Sequence, residues 1–168
     1  MVVWDLRKSR IPSRTGTSAR STHVSRHHDQ IVTATPGLTR HNDGVTSRIA
    51  VIAIDAVKPR VVADFWCDVL GWRVVEEDGS VISIAPPDGS WPTIDVVAVP
   101  ENKMVKNRLH LDLRADGLTT SDELERLLTL GARRTDVGQG ADATWVVLSD
   151  PEGNEFCLLS RSVQEARS

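Results

Sequence analysis

No tyrosine occurs in this chain of 168 residues, and only two phenylalanines and five tryptophans are present. So few aromatics count against a sequestering groove walled by stacked rings. Cysteine is equally scarce: Cys67 and Cys157 lie far apart and form no CxxC pair. That spacing offers no disulfide framework, and a reducing cytoplasm is the expected setting. No apolar run approaches the roughly 20 residues that cross a bilayer, so no membrane partner is expected. The basic N-terminus lacks the apolar stretch of a secretory signal.

Acidic residues are scarce at one end only. Residues 1–47 hold seven Lys/Arg against three Asp/Glu, and the rest holds thirteen against twenty. The acidic body argues against a nucleic-acid partner. The segment 1–47 is rich in Ser, Thr, Arg and His, with few large apolar residues. It cannot bury enough surface to offset its ordering entropy and reads as a disordered tail. Its composition is like that of an organellar transit peptide. A start assigned too far upstream, or a basic tail touching nucleic acid, reads the same way.

From Arg48 the pattern turns regular. Arg48 to Ala56 reads as a β-branched strand. Pro59 opens a helix carrying Val61, Val62, Phe65, Trp66, Val69 and Leu70, capped by Gly71. Trp72–Glu76 is a strand, Asp78-Gly79 a hairpin signal, Val81–Ala85 a strand, and Thr93–Val99 another after a loop. The order then recurs. Arg108–Ala115 alternates strictly, and Thr119 or Ser121 caps a helix carrying Leu124, Leu127, Leu128 and Leu130. Thr120 with Glu123 fits a capping box. Strands are expected at Ala132–Asp136, Thr144–Ser149 and Glu155–Ser160, with a tight turn at Asp150–Asn154. Residues 162–168 read as a flexible C-terminus.

The internal repeat is the strongest signal. Leu70-Gly71 returns as Leu130-Gly131, 60 positions on, and Pro87-Asp88-Gly89-Ser90 as Pro151-Glu152-Gly153-Asn154, 64 positions on. Two copies of strand, helix and three strands give an α+β fold of tandem βαβββ modules, about 48–100 and 107–161, in one domain over 48–161.

Three segments carry a family resemblance: Ala63-Asp64-Phe65-Trp66 with Leu70-Gly71-Trp72, Asn107 to Leu113, and Asp150 to Phe156. Over about Ile49 to Ser160 the chain resembles the vicinal-oxygen-chelate proteins, the glyoxalase/bleomycin resistance/dihydroxybiphenyl dioxygenase group. The resemblance implies curved mixed sheets that enclose a cleft. It also implies, in the metal-dependent members, ligands from the first and last strands of each module. Such members are lyases, isomerases or dioxygenases, while others bind an antibiotic or another small molecule without metal. Relatives pair modules between chains, so a homodimer is one expectation, though two modules in one chain also permit a monomer.

Strand alternation sorts the side chains. Leu109, Leu111 and Leu113 should pack under the helices, leaving Arg108, His110, Asp112 and Arg114 in the cleft. Val51, Ala53 and Asp55, then Asp95 and Val97, then Glu155 and Cys157, take the same side. Placed on the ligand positions the resemblance implies, the candidates are Val51, Asp95, His110 and Cys157. Valine cannot coordinate, so at most His110, Asp95 and Cys157 would hold a divalent metal, and no cofactor is demanded. His110 alternatively serves as a general base. Cys157 reads as a small buried hydrophobe. Asp95 could pair with Arg108 or Arg114, and Asp112 with Arg114. Trp66, Trp72 and Trp145 read as core. Trp91, in a loop, is the aromatic candidate for a ligand wall, with Asp112, Arg114 and Glu155 as polar ligand-binding residues.

Three functions compete. The first is a glyoxalase-like protein binding a small polar molecule without a full metal site. The second is a metal-dependent lyase, isomerase or dioxygenase, and the third an antibiotic-sequestering protein.

Overall fold

β1 (Val51–Ala56) and β4 (Thr93–Ala98) run parallel, and β3 (Val81–Ala85) and β2 (Arg73–Glu77) continue the sheet antiparallel, in the order β1-β4-β3-β2. The second half repeats this topology. β5 (Asp112–Leu113) pairs parallel with β8 (Glu155–Leu159), followed by β7 (Trp145–Ser149) and β6 (Arg133–Arg134). The structure, a computed structural model, describes residues 47–140 and 142–168. The tail read as disordered falls, Ser47 apart, outside these residues. No helix among them is long and apolar enough to cross a membrane.

Helix α1 (Pro59–Leu70) follows its sequence signals. Pro59 occupies the first turn, where a missing N–H costs nothing, and Gly71 terminates the helix at φ 65°. Val62, Phe65, Trp66 and Val69 bury one face against the first sheet. Asp78 and Ser80 close the β2–β3 hairpin.

α1 nevertheless lacks side-chain caps of its own, its C-terminus being closed by the backbone at Gly71. Lys58 at its N-cap makes no side-chain cap, and the helix has no acid in its first turn and no base in its last. Both ends are served by the second module. Glu152 accepts from the backbone N–H of Val57 at 2.7 Å and of Lys58 at 2.6 Å. Arg126 donates to the carbonyls of Asp68 and Val69 at 3.0 and 2.9 Å, while Glu123 grips its guanidinium from behind. A carboxylate therefore sits at the positive end of the helix dipole and a guanidinium at the negative end. Glu152 is aimed by its turn: the buried Asp150 accepts from the backbone N–H groups of Glu152 and Asn154 and from the Asn154 amide.

The core runs through both modules. Trp66 and Phe65 of α1 meet Phe156 of β8 with ring centroids 5.2 and 6.0 Å apart. Both phenylalanines of the chain are thus spent in one cluster. Ile84, Ile94, Val96, Leu127, Leu148 and Leu158 complete it. The Trp66 indole N–H is buried without a partner, a cost of about 1–3 kcal/mol that ring packing must offset.

Three expectations are corrected. The strand expected over Arg108–Ala115 pairs only at Asp112 and Leu113. Upstream, the Asn107 N–H is taken by the Glu155 carboxylate at 3.0 Å instead of a ladder carbonyl, and the chain leaves the sheet. Leu109 is consequently 77% exposed rather than packed. In α2 (Thr120–Thr129) the capping box at Thr120 and Glu123 does not form. Thr119 is the N-cap, accepting from Asp122 N at 3.1 Å, and Glu123 is recruited by Arg126. Within 162–168 a one-turn helix, α3 (Val163–Arg167), forms behind a Ser162/Glu165 capping box, a signature that was present in the sequence.

Candidate functional site

A cavity of about 390 Å³ lies on the face of the second sheet opposite the core. Alternation along β8 turns Phe156 and Leu158 into the core and Glu155, Cys157 and Leu159 toward the cavity. On β7 the same rule gives Trp145 and Val147, and around β5 it gives His110 and Asp112. Val137, Gly138 and Gln139 form the far wall. The register fixes one row across three strands: Asp112 opposite Cys157 opposite Val147.

The chemistry gathers at one end of the cavity. His110 Nδ1 lies 3.0 Å from Asp112 Oδ1 and 3.7 Å from Cys157 Sγ. A carboxylate oxygen accepts, so Nδ1 donates and Nε2 keeps the lone pair. The pair is then an oriented imidazole with one nitrogen free to exchange a proton. Burial, and then the nearby Asp112 carboxylate, push the Cys157 thiol up to about 11. A thiol relay would place Cys and Asp on opposite ring nitrogens. Here both meet Nδ1, so His110 does not activate Cys157 as a nucleophile.

Glu155 lines the same cavity, yet both its oxygens are engaged: Lys103 Nζ donates to one at 2.7 Å and Asn107 N to the other at 3.0 Å. Burial pushes its carboxyl up, but these two hydrogen bonds outweigh that and hold it below the usual carboxylate range. Glu155 thereby ties the inter-module linker to β8.

The other expected site residues lie elsewhere. Trp91 is 59% exposed on its loop and lines neither cavity described here. Arg114 donates to the Arg161 carbonyl at 2.7 Å, so the expected Asp112–Arg114 pair gives way to His110–Asp112. Asp95 accepts from Ser83 Oγ at 2.7 Å within the first sheet, in place of an arginine partner. Trp145, read as core, is instead a half-exposed wall of the cavity. Its alternation with Val147 was the signal that could have placed it there.

A second cavity of about 300 Å³ occupies the cleft between modules. Ile52–Asp55 of β1 and Trp66 form one side, and Asn107–Leu111 with Asn154 and Glu155 the other. His110 and Glu155 line both cavities.

Of the residues placed on the ligand positions of the resemblance, His110 and Cys157 come together, with Asp112 beside them. Ligand atoms of His110, Asp112 and Cys157 all lie within 4.8 Å of one another. Nitrogen, oxygen and sulfur donors at that separation fit a zinc-like ion. Asp112, not Asp95, is the carboxylate in the group. Val51 stands on the corresponding face of β1 and contributes nothing.

Similarity to other proteins accords with this architecture. FosX, a fosfomycin resistance protein from Listeria monocytogenes, is 9% identical with a TM-score of 0.54, over 74% of this chain and 98% of that one. TnmS3, an antibiotic binding protein from Streptomyces sp. CB03234, is 19% identical with a TM-score of 0.50, over 71% and 99%. A glyoxalase/bleomycin resistance protein/dioxygenase family enzyme from Burkholderia phytofirmans PsJN is 17% identical with a TM-score of 0.50, over 67% and 97%. At such identities the likeness is one of fold. No curated protein matches the chain. The model of the glyoxalase-like domain matches residues 51–159, from the first strand of one module to the last of the other. With its paired four-stranded sheets in identical order, the chain belongs to the glyoxalase-like domain family, within the glyoxalase/bleomycin resistance/dioxygenase group.

Proposed function

We propose that this chain binds a small molecule with an apolar body and a hydrogen-bonding head in the cavity of its second module. The cavity itself carries the reading. Its volume of about 390 Å³ suits a small ligand, its walls are Val137, Trp145, Val147 and Leu159, and its polar groups converge at His110 and Asp112. Trp145 supplies a flat apolar wall, and His110 Nε2 meets the polar head. Where that head is acidic, the same nitrogen accepts its proton, with Asp112 stabilising the imidazolium. All these residues come from one chain, so the reading requires no dimer. Its two free cysteines suit a reducing cytoplasm.

The test is a thermal-shift screen with small aromatic acids, amides and phosphonates, followed by calorimetry on the best compound. A true ligand at a hundred times its Kd stabilises the protein by about 2.7 kcal/mol. His110→Ala and Trp145→Ala should each weaken binding by roughly 1–3 kcal/mol. Failure of every compound to stabilise the protein, or equal binding by both variants, would overturn the reading. Antibiotic sequestration is a narrower form of it, supported only by a shared fold with an antibiotic binding protein.

A second reading, metal-dependent lyase, isomerase or dioxygenase chemistry, is favoured by the three donor atoms within 4.8 Å. A bound divalent ion would supply Lewis acidity there. His110, Asp112 and Cys157 would hold it.

A further inference from the structure

We infer that the ligand of this protein carries an anionic head, a carboxylate, which Lys106 and Arg108 grip where the two cavities meet. The inference rests on the binding reading above and assigns the charge of the head. Lys106, Arg108 and His110 occupy alternate positions at the end of the inter-module linker. Lys106 lines the cavity of about 390 Å³, Arg108 lines the cleft of about 300 Å³, and His110 borders both. The wall that the cavities share therefore has a long cationic side chain on each of its sides.

Both cations are uncommitted, unlike others of the chain. Lys103 is held by Glu155, Arg114 by the Arg161 carbonyl and Arg126 by Glu123. Lys106 Nζ donates to the Asn107 carbonyl at 3.1 Å, which leaves two of its three N–H donors. Among the described residues the Arg108 guanidinium has no hydrogen-bond or ion-pair partner. The acids of the two cavities leave this charge in place. Glu155 is taken by Lys103 and the Asn107 N–H, and Asp112 by His110. Asp55, on the β1 side of the cleft, is the one lining acid without a partner among the described residues. Two cations against one acid leave one positive charge, and a monoanion balances it. The field of Lys106 reaches the cavity floor: burial and then Asp112 raise the Cys157 thiol, and the Lys106 ammonium opposes them. Arg108 offers paired N–H groups that match a carboxylate. The apolar walls at Val137, Trp145, Val147 and Leu159 take the rest of the molecule. The ligand class is thus an ionised carboxylic acid with an apolar ring or chain.

The experiment is calorimetry of the full chain with matched acid–amide pairs: benzoate and benzamide, phenylacetate and phenylacetamide, naphthoate and naphthamide, hexanoate and hexanamide. At low ionic strength the best-bound pair should favour the acid by at least about tenfold. Added salt should shrink that preference. Lys106→Gln and Arg108→Gln should each cut the acid-to-amide affinity ratio at least about fivefold, and Lys106→Arg should keep it. Asp55→Asn should raise the ratio, since it removes a like charge from the cleft, a sign that a merely structural role would not give. Arg134→Gln, on the edge strand β6, should leave the ratio unchanged, with circular dichroism confirming that each variant folds. Equal affinity for acid and amide, or a ratio unmoved by Lys106→Gln or by Arg108→Gln, overturns the inference and leaves the binding reading standing. Binding by none of the pairs also overturns it, and if the wider screen is empty too the binding reading falls with it.

Discussion

Moving Cys157 from an ordinary thiol near 9.0 to about 11 lowers its thiolate fraction at neutral pH by about a hundredfold. The thiolate is the reactive species, so alkylation should slow, though less than in proportion because a more basic thiolate is also more nucleophilic. At pH 8, iodoacetamide should label Cys157 at least about ten times more slowly in the native protein than in urea, read by peptide mass spectrometry. Labelling at the unfolded rate would refute the burial argument. The linkage has a definite sign. The folded thiol binds its proton more tightly than the unfolded one, so its contribution to stability is full below about pH 9 and is lost as pH rises through 11. The residues around it show what alternation can find. Period two alone places His110, Asp112 and Cys157 on one face. It failed for Asp95, because the repeat fixes a residue's row within its own sheet and not its distance from the other sheet. Trp91 lies in a loop, but loop position does not bring a ring to a cavity. Arg114 has the right parity, yet a long side chain goes to the nearest carbonyl.

A helix whose ends are satisfied from outside depends on its neighbour. Glu152→Ala removes the acceptor for two amide groups at the α1 N-terminus and should cost about 1–2 kcal/mol. Arg126→Ala should cost a similar amount at the other end, with Glu123 left unpaired beside it. Urea denaturation gives the size, and faster hydrogen exchange at Val57 and Lys58 in Glu152→Ala gives the location. Unchanged midpoints would mean that water caps the helix equally well. The sequence carried the position of both long helices, through Pro59, Gly71 and Thr119. It did not carry the source of the caps, because Glu152 and Lys58 are 94 positions apart. It likewise overstated β5: strict alternation specifies a strand's faces, while a single buried carboxylate decided where its ladder stops.

Because one core serves both sheets, the modules should unfold together. Tryptophan fluorescence, to which Trp66, Trp72 and Trp91 of the first module and Trp145 of the second contribute, should give the same midpoint as far-ultraviolet circular dichroism. Phe156→Ala removes the ring that joins β8 to Phe65 and Trp66 and should destabilise by about 3–5 kcal/mol without splitting the transition. Two resolved transitions would contradict a shared core. At this scale the repeat made the topology legible, since each βαβββ unit follows from its own periodicity. The docking of one unit on the other was not, because the residues that perform it break the repeat: Glu152 reaches across, whereas its counterpart Asp88 accepts from Ser90 within its own turn.

That broken correspondence makes the two halves unequal in self-sufficiency. α2 begins on its own Thr119, but α1 has Lys58 where a capping side chain belongs. A chain cut between Val99 and Asn107 would therefore give two fragments of the same topology and different fates. The fragment with β5 to β8 would keep its helix start. The fragment with β1 to β4 would keep the Gly71 stop but carry a helix whose start no side chain of its own caps. The tandem arrangement thus supplies the first half with the helix cap it lacks as well as enclosing a cleft.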